Sequence, residues 1–261
     1  MIIPLIHTLC ALLLTGGLAG CVGEDAATST GAARQDATSS TAANADSVVV
    51  AATSAGPITY RKIRCGAAVP KEQCREVEQE NLRVRLSQLI VFAAAETHNV
   101  TLTPDELREV EARVAEQRQA IDRAARTFRA AIAGAARVHA GETLEDVAAD
   151  VAVPVAMIKG AMSEYPTEAE VRAALTRDIA KELQDAARKT YMRAKLTAKL
   201  RALVHKQAAE HGVSEADAAE TFFNDVARLH QFRVTDSRYQ LPDFKEVLND
   251  YEISIQSSPQ N

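Results

Sequence analysis

Histidines at 98, 139, 205, 211 and 230, four cysteines and many carboxylates are the residues here that could carry chemistry. A helical zinc site needs two imidazoles on one face, four positions apart, and no pair of these histidines has that spacing. No cysteine cluster accompanies them, so no metal is expected. His98 and His211 fall at the ends of predicted helices, where a cationic side chain suits the dipole. The carboxylates alternate with bases, as in RDIAKELQDAARK (177–189), the pattern of a solvated helix face. There is no glycine-rich phosphate loop and no Gly-x-Ser-x-Gly elbow. Nothing in the sequence predicts a catalytic residue or a cofactor.

One segment raises a different possibility. TLEDVAADVAVPVAMIKGAM (143–162) has the outline of a helix, a tight corner and a second helix, with Ala148, Pro154 and Ile158 at the packing positions. Its second helix carries one Lys and no Arg, Asn or Gln to read base edges. The net charge is -5, and no basic field spans the chain. The corner therefore reads as packing architecture, and no nucleic acid is expected as a partner.

The cysteines are more informative. Cys21 closes MIIPLIHTLCALLLTGGLAGC, an apolar run too short to span a bilayer comfortably and ending in small residues. The ending Leu18-Ala19-Gly20-Cys21 resembles the lipobox of a bacterial lipoprotein signal peptide, although only His7 stands where Lys or Arg is usual. The resemblance implies cleavage before Cys21, acylation of its thiol and a lipid anchor in the cell envelope. Val22-Gly23 after the Cys points to the outer membrane, with the chain facing the periplasm. Two or more acyl chains hold stably, at about 0.8 kcal/mol per buried CH₂. In that oxidising compartment the remaining pair, Cys65 and Cys74, is expected to form a disulfide; free thiols or a redox pair are the rival readings.

The elements that must position these groups are helices. The chain is 47% hydrophobic but only 4% aromatic, without Trp, so alanine supplies much of its apolar content. Residues 1–20 form the signal and 21–57 a tether, rich in Ala, Ser, Thr and Asp, with a coil span of roughly 30 Å. Within it SVVVAA (47–52) could be a short strand, but no pairing partner is visible. The remainder, 58–261, reads as one all-α domain of long amphipathic helices in an extended arm. A first helix covers 71–98, with Leu82, Leu86, Leu89, Ile90 and Ala93 in its stripe. Thr103 and Glu106 form a capping box for a second, predicted to run from 104 to about 139, roughly 50 Å. Its heptad row is Leu107, Val114, Ile121, Phe128 and Ala135, with Gly134 weakening it and Gly141 ending it. A third run from 167 to about 211 holds no Gly or Pro and is predicted as one helix. Ser214 and Asp217 open a last helix to about 231. Tyr239, Leu241, Phe244 and Leu248 are predicted to pack back onto the body.

The stretch NLRVRLSQLIVFAAAETHNVTLTPDELREVEARVAEQ, followed by TLEDVAADVAVPVAMIKGAM and a long helix, resembles the N-terminal domain of SurA-type periplasmic chaperones. The likeness covers roughly residues 75 to 200, with 123–141 as a lengthening insertion. The parvulin isomerase domain of many relatives has no counterpart, so prolyl isomerase activity is not expected. The resemblance implies a holdase for unfolded or partly folded envelope proteins, working without ATP. Met157, Met162, Met192, Phe222 and Phe223 would then be deformable client contacts, or plain core. The alternative is a non-catalytic interaction lipoprotein serving one dedicated partner in an envelope or secretion assembly.

Overall fold

A computed structural model describes residues 47–65 and 69–248. The expected signal, the expected anchor at Cys21 and the expected tether up to residue 46 lie outside the described residues. The described chain is mostly helical, as predicted, with eight α-helices and three short strands. In order these are β1 (Val49–Thr53), β2 (Gly56–Thr59), α1 (Lys71–Thr97), α2 (Pro104–Glu116), α3 (Arg118–His139), α4 (Leu144–Asp150), α5 (Val155–Glu164), α6 (Glu168–Leu175), α7 (Ile179–His211), α8 (Glu215–Leu229) and β3 (Arg233–Val234). Single 3-10 turns occupy Tyr60–Lys62 and Phe244–Leu248.

The domain predicted over 58–261 resolves into two compact units. The first gathers 61–78 and 114–187; the second gathers 47–60, 79–113 and 188 onward. Residues 47–57, read as the end of the tether, instead build strands of the second unit.

In the first unit α3 is the hub, packed by α4, α5 and α6. Gly134 allows this closeness. A Cβ there would stand 3.0 Å from Ile158 Cδ1 and 3.3 Å from Val147 Cγ1, so the missing side chain seats both neighbouring helices. Its role is packing, and α3 continues through it without a break. Ile121, Ile158, Val171 and Leu183 are fully enclosed. Arg61 donates to the Glu164 carbonyl at 2.6 Å and to Glu170 Oε1 at 3.1 Å, and Arg64 donates to the Ser163 carbonyl. These bonds clip residues 61–64 onto the end of α5. Cys65 and Cys74 are disulfide-bonded, with Cα atoms 5.2 Å apart.

The second unit is built on Leu82, Leu86, Ile90, Leu200, Val204, Phe223 and Phe244. SVVVAA does find partners. β1 pairs antiparallel with β2 on one side (Ala51 opposite Ile58) and β3 on the other (Ala51 opposite Val234). The irregularity between Val49 and Ala51 is a bulge-like shift of register. Phe244–Leu248 lies against α8. Tyr239, Phe244 and Leu248 are buried as predicted, but Leu241 is exposed.

Both very long predicted helices are interrupted. The second breaks at Gln117, whose ψ of -3° and bond from its N–H to the Val114 carbonyl replace a helical turn with a tighter one. The third breaks at 176–178. Thr176 Oγ1 turns back to the Ala173 carbonyl at 2.7 Å, and Asp178 Oδ1 accepts from the Lys181 N–H at 3.1 Å, opening α7 afresh. Leu107, placed in the apolar row of the second helix, is exposed, whereas Val110, Val114 and Ile121 are buried.

Several helix ends share one plan. The left-handed residues Asn99, Gly141, Ala152 and Gln231 each follow a helix. In each case the next N–H reaches back five residues, as Val100 does to Ala95 and Phe232 to Ala227. Helix starts carry the caps predicted at Thr103 and Ser214, and two more of the same kind. Thr103, Thr143, Thr167 and Ser214 accept from the N–H of Glu106, Asp146, Glu170 and Asp217.

Candidate functional site

The residues predicted to contact a partner are divided between the two units. Met157 and Met162 stand half-buried on α5 in the first unit, and Met192 half-buried on α7 in the second. Of the two readings given for Phe222 and Phe223, the structure places both in the second unit's core. They sit edge to face, ring centres 5.1 Å apart, and Phe222 also stacks on His98 at 4.2 Å. The stripe of α8 buries Ala219, Phe222, Phe223 and Val226, so the helical spacing that made these rings conspicuous also turned them inward.

The histidines take structural places. His98 was read as a cationic helix end, but burial against Phe222 pushes its imidazole below the ordinary pKa. His139 Nε2 lies 3.2 Å from the Tyr165 carbonyl, and His205 stands 3.6 Å from Glu215. His230 binds most closely. Its carbonyl accepts from the Ser54 N–H at 2.8 Å, Nδ1 lies 3.0 Å from Ser54 Oγ and Nε2 lies 2.9 Å from Thr97 Oγ1. The Thr97 hydroxyl donates to Ala93, so it accepts from Nε2–H, and Nδ1 accepts from Ser54. These bonds tie the β1–β2 turn to the ends of α1 and α8. Among the described residues no group of His, Cys, Asp and Glu could hold a metal ion, and no described helix is long and apolar enough to cross a membrane.

Within the second unit α2 lies on α7 through an acid-to-base ladder. Glu111 meets Arg188 at 2.7 Å, Glu109 meets Lys195, and Glu106 meets Lys199 at 2.6 Å. Lys199, then the Thr103 N–H, holds Glu106 down to a pKa of about 2.

Sequence reasoning missed the apolar residues that reach the surface. The large ones are Val48, Val49, Leu107, Val213, Leu229 and Leu241, and every one belongs to the second unit. Leu229 is the extreme, 64% exposed. It lies seven positions after buried Phe222, so spacing alone would bury it; it is exposed because α8 ends there.

These features define a mostly helical protein with a small three-stranded sheet and a disulfide. No protein-family profile, curated protein or solved structure matches the chain.

Proposed function

We propose that the protein is a lipid-anchored holdase of the bacterial cell envelope, capturing unfolded exported or outer-membrane proteins by weak apolar contact, without ATP. The observation carrying the reading is that, among the described residues, the six exposed large apolar side chains all fall in one of the two units. Adaptable capture needs accessible apolar surface, and Leu107, Leu229 and Leu241 supply it at positions the fold does not use for its core. The Cys65–Cys74 disulfide fits an oxidising compartment, as the lipobox-like ending at Cys21 requires. Half-buried Met192 adds a deformable contact in the same unit.

The test uses the mature chain from residue 21 onward carrying Cys21→Ser. A denatured outer-membrane barrel protein and an unrelated denatured globular protein are each diluted into it, and light scattering follows aggregation. Suppression of both is expected. The triple variant Leu107→Ser, Leu229→Ser and Leu241→Ser should lose at least about half of it while keeping its helical spectrum, because exposed substitutions cost little, within about 0.5 kcal/mol each. Failure to protect either client would sink the holdase reading. Co-purification with one dedicated partner would then favour an assembly subunit.

A further inference from the structure

Helix α3 carries five arginines and no lysine, and Asp122 is its single acid. Its inner face, with Ile121, Ala125, Ile132 and Ala135, is buried against the neighbouring helices. At 3.6 residues per turn, Arg118, Arg129, Arg126 and Arg123 fan over about 140° of the opposite face and about 17 Å of its length. All four are exposed. Arg118, Arg123 and Arg126 have no ion pair or side-chain hydrogen bond among the described residues, and Arg129 gives one N–H to the Arg177 carbonyl. Other arginines of the same unit are engaged. Arg137 holds Glu142 and Asp150, Arg172 holds Glu168, and Arg177 holds Glu182. Three neighbouring guanidiniums are thus unengaged by the described residues.

We propose that this outer face of α3 docks on an anionic phospholipid bilayer, its arginines forking onto lipid phosphates. A guanidinium's paired N–H groups match phosphate geometry, which a lysine ammonium does not, and every cation of this face is an arginine, with Asp122 the one acid inside the fan. The choice of a bilayer over another polyanion rests on the proposed anchor at Cys21, which already holds the chain at a membrane. The docking face would orient the tethered body, and tethering makes weak contacts sufficient by raising their effective concentration. The chain as a whole carries a charge of -5, so only a local cationic face can hold it to a negative surface.

The experiment is flotation of the mature Cys21→Ser chain with vesicles of phosphatidylcholine alone and of phosphatidylcholine with phosphatidylglycerol in equal parts. Binding to the second, not the first, and its weakening by salt are expected. Each arginine near such a surface contributes about fivefold to partitioning. The variant Arg118→Gln, Arg123→Gln and Arg126→Gln should therefore bind roughly a hundredfold less. A control removing the same charge from exposed lysines, Lys159→Gln, Lys181→Gln and Lys189→Gln, should stay close to the parent. The proposal is overturned by equal binding to both vesicles, by equal losses in the two variants, or by tighter binding to duplex DNA than to the anionic vesicles. The anchor is read separately, from the intact mass of the natural chain at Cys21. The arginine variant should retain full aggregation suppression, so loss of docking and loss of holdase activity are distinguishable.

Discussion

His98 shows how one side chain resolves two opposing influences. A helix C-terminus favours imidazolium, whereas stacking on Phe222 takes the ring out of water and favours the neutral form. The lowered pKa says that desolvation wins. The unfolded chain then binds the proton more readily than the fold. The contribution of the neutral, stacked ring is complete above the ordinary histidine range and is lost as pH falls below it and through the lower folded value. Urea midpoints should accordingly fall between about pH 7 and about pH 5. His98→Phe, which keeps a ring against Phe222, should flatten that part of the profile; an unchanged slope would assign it to other groups. At this scale the sequence was legible wherever the interaction was local. Thr103 with Glu106, Thr167 with Glu170 and the left-handed Asn99 involve neighbours within a few positions, so residue type and spacing suffice. For Phe222 the sequence left client contact and core both open, because exposure depends on what packs above a side chain, which no local pattern contains.

Helices teach the complementary lesson. Their faces were readable, since Leu82, Leu86 and Ile90 or Val171, Ile179 and Leu183 are buried at the expected spacing. Their lengths were not, because Gly and Pro are not the only interruptions. The break before α7 had a signal: Asp178 is followed three residues later by the Lys181 N–H it accepts, the geometry of an N-cap. The break at Gln117 has none, as its side chain makes no cap. The sign of one substitution separates a true restart from a continuous helix. If 167–211 were continuous, Asp178→Ala would stabilise it through alanine's higher propensity. If Asp178 opens a new helix, the same change should cost about 1 kcal/mol in chemical unfolding. The observed bond predicts the cost, and a gain in stability would refute the restart.

For the whole molecule, the partition into two units was illegible because its segments are interleaved. β1 finds its β3 partner about 180 residues away, and a two-residue strand at Arg233–Val234 leaves no periodicity to read. The same interleaving has a thermodynamic consequence. Helix α1 passes from one unit to the other between Glu78 and Gln79, and α7 between Ala187 and Arg188. Helical hydrogen bonds are cooperative along the chain, and most helical stability in proteins comes from tertiary packing. When either unit loses its packing, part of both helices loses support, and the fraying passes into residues that pack the other unit. Calorimetry should therefore show one transition with matching calorimetric and van't Hoff enthalpies, of about 140 kcal/mol near 60 °C for roughly 200 folded residues. The pair Cys65→Ser and Cys74→Ser removes a loop constraint of about 2–3 kcal/mol from the first unit alone. It should lower the single peak without splitting it. Two peaks, with only the first moved by the cysteine substitutions, would mean that α1 and α7 part at the unit boundaries and that each unit holds its own stability.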